Sequence, residues 1–127
     1  MFPGVFILNY QTGKKYSKAN NQYTDLINRD CNRANSIIWS IANETAPADA
    51  RNAFLTAIAQ HIRSMDSTRL LSAACKKDQA ADGHPDNDYT ISDPIIQHLD
   101  IISFHEYPGW YGSPDIGRLY DSIKAIT

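Results

Sequence analysis

Short apolar runs alternate along the chain with longer segments in which apolar residues recur at helical spacing. The most apolar run covers residues 36–42, and polar and apolar side chains do not alternate along it. We therefore expect a strand that is buried on both faces, as in a parallel sheet covered by helices. Three more runs have strand character, and the four predicted strands are residues 5–8, 36–42, 70–74 and 100–105.

The clearest predicted helix covers residues 48–65. Pro47 suits its start, and Asp49 in the first turn suits the positive end of the helix dipole. Its apolar residues recur at three- and four-residue steps, whereas its charged and polar residues are expected to face elsewhere. The apolar face consists of Phe54, Leu55, Ile58, Ile62 and Met65, and the residues expected to face away from it are Asp49, Arg51, Gln60 and Arg63.

Other helices are predicted from shorter patterns. At Asp93-Pro94, the aspartate can cap a helix while the proline takes the first helical position, which predicts a short helix from there. Strands that alternate with helices in this way indicate an α/β fold with a parallel sheet. The remaining helical patterns are residues 21–31, with Tyr23, Leu26 and Ile27 on one face, and residues 115–126.

Asn43 and Glu44 follow directly after the strongest predicted strand. In an α/β barrel the carboxyl ends of the strands carry the catalytic residues, so these two side chains are candidates for chemistry. The apolar surroundings of such a strand end favour the protonated carboxyl group that a general acid needs. The alternative is that Glu44 begins a loop, where it is solvated or caps the helix that starts near Ala48.

Four motifs follow one another between residues 23 and 111. They are Arg-Asp-x-Asn at 29–32, Trp-Ser-x-Ala-Asn-Glu at 39–44, Asp-x-Thr-Arg at 66–69 and Tyr-x-Gly-Trp-Tyr at 107–111. Together they resemble the motifs of glycoside hydrolase family 2, in particular its β-glucuronidase-like members. Four motifs in the same order make this resemblance far more specific than the Asn-Glu pair alone.

The resemblance implies a retaining glycosidase on a (β/α)8 barrel, with the acid/base after strand four and a nucleophilic Glu after strand seven. Glu44 matches the acid/base, and Asn43 matches an asparagine that binds the sugar 2-hydroxyl. Tyr107 matches a tyrosine beside the nucleophile, and Trp110 is expected to line the sugar site. His105 should share a face with Tyr107, where it either contacts sugar hydroxyls or is a hydrogen-bonded residue of the barrel wall.

The chain departs from the family pattern in two places. The family usually has proline directly after Asn-Glu, whereas Thr45 and Ala46 delay Pro47 here, which could alter the loop at the active-site mouth. We also find no second carboxylate in the sequence context of the nucleophile. Glu106 lies on the strand that resembles number six, and it should point away from the site if Tyr107 faces it, since neighbours in a strand point to opposite faces.

The length of the chain agrees with a missing nucleophile. A complete barrel needs about 250 residues, whereas this chain has 127. We therefore expect an α/β fold that is a partial (β/α)8 TIM barrel, about strands 3 to 6 with their intervening helices. Residues 1–127 are then a fragment of a single catalytic domain, inactive alone, whose nucleophile lies beyond Thr127.

Composition argues against several other classes of protein. The 12 basic and 14 acidic residues leave a net charge of −2, so no nucleic-acid surface is expected. No apolar run approaches the roughly 20 residues of a membrane helix, and no signal peptide is visible. We expect no disulfide between Cys31 and Cys75, no metal site and no cofactor. Localisation stays open, as does a homo-oligomeric parent.

Residues 76–92 are polar and show no clear periodicity. Because they follow a predicted strand, they should emerge at the catalytic end, as an active-site loop that shapes the substrate entrance or as a disordered segment. Asn43-Glu44-Thr45 also fits the N-glycosylation pattern, which we discount because a glycan there would block the site.

The resemblance thus implies part of a retaining glycosidase that hydrolyses the O-glycosidic bond of a β-glucuronide or a β-galactoside. Glu44 would protonate the leaving oxygen and then deprotonate the attacking water. One alternative is a cellulase-like endo-enzyme of the same clan, which also places Asn-Glu after strand four. Another is a non-catalytic, carbohydrate-binding half barrel, in which Tyr107, Trp110 and Tyr111 would stack on sugars.

Overall fold

The structure is a computed structural model that describes residues 13–79, 89–105 and 107. Helices and strands alternate along these residues as the sequence predicts, except that two short strands, which were not predicted, follow β2. In chain order the elements are α1 (Gly13–Asp30), β1 (Ile38–Asn43), α2 (Asp49–Met65), β2 (Leu70–Ala74), β3 (Asp78–Gln79), β4 (Tyr89–Thr90), a 3-10 helix (Pro94–His98) and β5 (Ile101–Ser103).

Three of the strands form a parallel sheet in the order β1-β2-β5. Ile38 lies opposite Leu70 at the start of the β1-β2 pair, and Asn43 lies opposite Ala74 at its end. Ala74 in turn lies opposite Ser103 of β5. Parallel neighbours need a crossover connection, and α2 provides it between β1 and β2. The carboxyl ends of all three strands therefore meet at one edge of the sheet.

Both long helices contribute to the core on one face of this sheet. Trp39 and Ile41 of β1 and Leu71 and Ala73 of β2 belong to this core, and each is at most 7% exposed. Burial of apolar surface contributes about 25 cal/mol per Å², so this layer is the main source of stability. The helical part of the core consists of Ala19, Tyr23 and Ile27 from α1 and Phe54, Leu55, Ile58, Ala59 and Ile62 from α2.

The opposite face of the sheet carries small polar side chains towards its carboxyl end and exposed apolar side chains at its amino end. Ser72 Oγ and Ser103 Oγ lie 2.8 Å apart in a hydrogen bond, whereas Ile38 and Leu70 at the amino end are 40% and 47% exposed. No described helix covers this face. The prediction that the strand over residues 36–42 is buried on both faces is therefore wrong at its amino end, where Ile38 is exposed and Ile37, just before β1, is 66% exposed.

Helix α1 begins at Gly13, well before the predicted start at residue 21. Ala19 continues the buried face towards the amino terminus, and Tyr16 packs edge-on against Phe54 with ring centroids 6.0 Å apart. The polar residues around these positions conceal the apolar spacing in the sequence. Packing against α2 stabilises these first turns, which helix propensity alone would leave marginal.

A hydrogen bond anchors α1 to the sheet. Tyr23 Oη donates to the carbonyl of Ser40 over 3.0 Å, and burial raises the pKa of Tyr23 to about 12. The predicted apolar face of this helix is confirmed, because Tyr23 and Ile27 are buried and Leu26 packs against the core.

Several predicted elements agree closely with the structure. Helix α2 begins one residue after the predicted start, β2 covers the predicted residues 70–74, and β5 lies within the predicted strand 100–105. The short helix begins at Pro94 as predicted, and the Asp93 carboxylate accepts a 3.1 Å hydrogen bond from the Ile95 amide. The predicted strand at 5–8 and the predicted helix at 115–126 lie outside the described residues.

Arg51 was expected on the solvent side of α2, and this prediction is wrong. Its side chain is completely buried, because Asp93 provides a buried carboxylate 2.6 Å from Arg51 Nη1. The spacing does hold the missed signal: Arg51 precedes Phe54, Leu55 and Ile58 by three, four and seven residues. These are the steps that place residues on one helix face.

Asp66 organises the amino ends of the strands. Its carboxylate accepts hydrogen bonds from Trp39 Nε1 at 3.0 Å, from the Thr68 amide and hydroxyl at 2.9 and 2.6 Å, and from Arg69 Nη1 at 2.9 Å. Arg69 also donates to the carbonyls of Ser36 and Cys31. Burial alone would raise the pKa of Asp66, but the four hydrogen bonds outweigh it and hold the pKa well below its ordinary value. The Asp-x-Thr-Arg motif is thus a structural clamp.

The segment after β2 is more regular at its base than predicted. Strands β3 and β4 pair in an antiparallel manner, with Asp78 opposite Thr90 and Gln79 opposite Tyr89. Ser92 Oγ donates to Asp78 Oδ2 over 2.5 Å and closes this base. This antiparallel pair follows the carboxyl end of β2, which is the end where the sequence predicts the site.

Two further expectations concern cysteines and membranes. Cys31 and Cys75 are free, so the prediction of no disulfide is confirmed. Burial is the main cause that raises the pKa of the Cys75 thiol. Among the helices described by the structure, none is long and apolar enough to cross a bilayer.

Candidate active site

An irregularity at the end of β1 gives Asn43 and Glu44 their orientation. The register of β1 on β2 shifts between Ser40 and Asn43, where β1 contains one residue more than its partner. Such a bulge bends a strand and changes the direction of the side chains that follow. Glu44 then has φ of 48°, in the left-handed region that non-glycine residues rarely occupy.

The two adjacent side chains consequently reach the same segment, the residues that follow β5. Asn43 contacts His105, and Glu44 contacts Tyr107, which lies two residues further along the chain. In a regular strand, neighbours would point to opposite faces. The bulge and the left-handed residue therefore bring an amide and a carboxylate to one surface.

Glu44 and Tyr107 form one of these two contacts. Tyr107 Oη donates to Glu44 Oε2 over 2.9 Å. A phenol hydroxyl that donates to one carboxylate oxygen fixes the orientation of the group, which suits a residue that exchanges a proton through its other oxygen. Tyr107 is 41% exposed and Glu44 is also exposed, so both groups are accessible to a ligand.

His105 and Asn43 form the other contact. His105 Nε2 lies 2.6 Å from Asn43 Oδ1. An amide oxygen only accepts, so His105 must donate from Nε2, and the two N–H bonds of the Asn43 amide then point elsewhere. The rings of His105 and Tyr107 are 5.8 Å apart and tilted by 38°. The four side chains thus form one continuous polar cluster.

Ala74 lies between the two halves of this cluster. It is opposite both Asn43 and Ser103, so β2 separates the end of β1 from the end of β5, which His105 and Tyr107 follow. The contact between His105 and Asn43 therefore spans β2. The Glu44 amide donates to the Ala74 carbonyl over 2.8 Å and keeps the end of β1 attached to β2.

The surroundings of Glu44 differ from those predicted. The sequence predicts apolar surroundings that favour a protonated carboxyl group. Glu44 is exposed in the described part of the chain. The alternative that Glu44 caps α2 is not supported, because the cap at Ala48 has no side-chain hydrogen bond and the Glu44 carboxylate binds Tyr107. The alternative that Glu44 is solvated agrees with its exposure. Solvent therefore reaches Glu44 in this structure.

Other candidate residues lie outside the cluster or are not among the residues that the structure describes. No group of metal-binding side chains occurs among the described residues. Trp110 and Glu106 are not described, so their predicted roles stay predictions. Arg51 was not predicted as a site residue, yet it donates from Nε to Thr45 Oγ1 over 3.1 Å beside Glu44.

Comparison with known proteins covers nearly the whole chain. The family model "Glycosyl hydrolases family 2, TIM barrel domain" matches residues 9–122. Among solved structures, a β-glucuronidase from an uncultured Clostridium species is similar, with a TM-score of 0.68 and 26% sequence identity. The similarity covers 98% of this chain and 20% of that enzyme, so the chain spans about a fifth of its length. The predicted fold, a partial TIM barrel, is confirmed.

Proposed function

The chain belongs to the TIM barrel domain of glycosyl hydrolases family 2, and we propose that it carries the acid/base half of a retaining β-glycosidase site. The observation that carries the proposal is the hydrogen bond from Tyr107 to Glu44 at the carboxyl end of the sheet. In a barrel enzyme this end holds the catalytic residues. The similar β-glucuronidase makes β-glucuronides the first substrates to test.

Glu44 acts as the proton donor in this proposal. Tyr107 binds Oε2, and Oε1 delivers the proton to the glycosidic oxygen as the bond to the anomeric carbon breaks. In the second step the same oxygen takes a proton from the water that attacks the glycosyl-enzyme. Solvent access to Glu44 suits this second step, because water must reach the carboxylate.

Asn43 binds the sugar 2-hydroxyl in the same proposal. His105 holds Asn43 Oδ1, so the Asn43 amide group offers its N–H donors to the sugar. Such a contact strengthens as the anomeric carbon becomes positively charged and thereby favours the transition state. His105 then serves the substrate through Asn43, and Trp110 is proposed to line the same site.

The nucleophile is proposed to come from residues outside the described part. A retaining mechanism needs a second carboxyl group about 5 to 5.5 Å from the first. The buried or paired carboxylates near the sheet have other partners: Asp66 binds Trp39, Asp93 binds Arg51 and Asp100 binds Arg63. These groups serve the framework of the fold.

The test uses the full-length protein that contains this chain. The wild type should hydrolyse a β-glycoside, and Glu44→Gln should lower kcat/KM for alkyl glycosides by at least about 100-fold, because these leaving groups need a proton. Activated aryl glycosides should lose much less in the first step. Asp49→Asn is the matched control, since Asp49 is an exposed acidic residue in the first turn of α2.

The outcomes separate the alternatives. Unchanged turnover of alkyl glycosides by Glu44→Gln would contradict the assignment of the acid/base. Release of internal fragments from a polymer, rather than of terminal sugars, would favour the cellulase-like alternative. Sugar binding without any turnover by the wild type would favour a carbohydrate-binding protein.

A further inference from the structure

Arg51 connects two segments of the chain that meet at the candidate site. Its guanidinium donates to Thr45, directly after Glu44, and to Asp93, which caps the 3-10 helix before β5. Tyr107, the partner of Glu44, follows β5. One buried side chain is therefore bonded to both the exit of β1 and the approach to β5.

Stability alone does not explain this arrangement. Arg51 and Asp93 both have fully buried side chains, yet Arg51 Nη2 and Asp93 Oδ2 have no hydrogen-bond partner among the described residues. Buried ion pairs with incompletely satisfied groups contribute little net stability compared with apolar residues of similar size. In some proteins such buried polar groups instead fix one conformation.

Glu44 is a residue that needs such support. Its φ of 48° is unfavourable for a residue with a Cβ and persists only where neighbouring contacts hold it. On its amino side, the Glu44 amide is bound to the Ala74 carbonyl at 2.8 Å. On its carboxyl side, the contact is from Arg51 Nε to Thr45 Oγ1 at 3.1 Å.

We propose that Arg51 is a positioning residue for Glu44. Through its hydrogen bond to Thr45, Arg51 holds the left-handed backbone of Glu44, and this backbone places the Glu44 carboxylate against Tyr107. This inference rests on the proposed function for its effect on catalysis. Its geometric part concerns only the backbone of Glu44 and the contact with Tyr107. The two parts can therefore be tested separately.

Thr45→Val is the decisive variant, because it removes the hydroxyl that Arg51 binds and leaves the Arg51–Asp93 pair intact. We expect kcat/KM to fall about 10-fold more for an alkyl glycoside than for a dinitrophenyl glycoside of the same sugar, since only the alkyl substrate needs a well-placed acid. Thr45→Ser keeps the hydroxyl and should restore the wild-type ratio. An equal loss on both substrates would indicate a merely structural role and overturn the proposal.

Thr24→Val is the matched control. Thr24 Oγ1 is hydrogen-bonded to His61 between α1 and α2, at 2.9 Å, and not to the loop after Glu44. This variant should leave the ratio of the two substrates unchanged. A change in that ratio as large as the one caused by Thr45→Val would also overturn the proposal.

A crystal structure of the full-length Thr45→Val variant tests the geometry without any assay. We expect Glu44 to leave positive φ, or the distance from Tyr107 Oη to Glu44 Oε2 to exceed about 3.5 Å, the limit of a hydrogen bond. An unchanged Glu44 would overturn the positioning role. If the wild type hydrolyses no β-glycoside, the proposed function fails, and this structure still decides the role of Arg51.

Discussion

Tyr107 Oη donates a 2.9 Å hydrogen bond to Glu44 Oε2 across 63 positions of the sequence. A hydrogen bond to a charged group contributes about 1.5 to 3 kcal/mol. Tyr107→Phe should therefore lower kcat/KM of the full-length protein by about 10-fold or more on alkyl β-glycosides. Steady-state kinetics on alkyl and activated aryl substrates measures the effect.

Tyr23→Phe is the control for that substitution. It removes a tyrosine hydroxyl that binds the Ser40 carbonyl on the helix-covered face of the sheet. We expect it to reduce stability and to leave the preference for leaving groups unchanged. Equal kinetic effects of the two variants would argue against a specific role of Tyr107.

His105 should affect catalysis through the sugar 2-hydroxyl. Without its donor, the Asn43 amide can rotate, so His105→Ala should lower kcat/KM by about 10-fold on a substrate that has this hydroxyl. The effect should be much smaller on the 2-deoxy substrate, which Asn43 cannot bind in this way. His105→Gln retains a donor and should recover part of the loss. Equal losses on both substrates would place His105 in the barrel wall alone.

Asp66 should be a strong determinant of stability. Asp66→Asn removes the charge that Arg69 pairs with. It also replaces one carboxylate oxygen, which accepts hydrogen bonds, with an amide group that would face hydrogen-bond donors such as Trp39 Nε1. We expect a loss of about 3 kcal/mol in the free energy of unfolding, measured by urea denaturation of the full-length protein. Asp30→Asn is the control, because its partners Arg29 and Arg33 are mostly exposed and such pairs contribute little. Equal losses for both variants would contradict the clamp.

Acidification should destabilise the protein through the same carboxylate. The pKa of Asp66 is lower in the folded chain than in the unfolded chain, so the unfolded state binds a proton first as the pH falls. The stabilisation is complete above the ordinary aspartate pKa of about 3.9 and is lost below it, as the pH falls towards the folded value.

The contribution of Asp66 to the urea midpoint should accordingly stay constant from neutral pH down to about pH 5 and should decline below about pH 4. Asp66→Asn should flatten the decline. Part of it should remain, because the Leu71 amide and Arg63 also lower the pKa of Asp100. A wild-type decline that Asp66→Asn leaves unchanged would assign the effect to other carboxylates.

The sequence by itself determined the order of α1, β1, α2, β2, the 3-10 helix and β5, and the location of the candidate site. Apolar residues at helical spacing specify α2, since one face must be buried. The apolar run before Asn43 and Glu44 specifies a strand, whose carboxyl end then carries both side chains. These properties depend on residues close together in the chain. The start of α1 was missed because its packing partner Phe54 belongs to another helix.

Only the tertiary structure decided how the candidate site is assembled. The bulge in β1 depends on its register against β2, and without it Asn43 and Glu44 would point to opposite faces. Arg51 is buried because Asp93, 42 positions away, provides a carboxylate inside the core. A charged residue enters a core only where a distant partner compensates for its lost hydration, and local patterns carry no information about that partner.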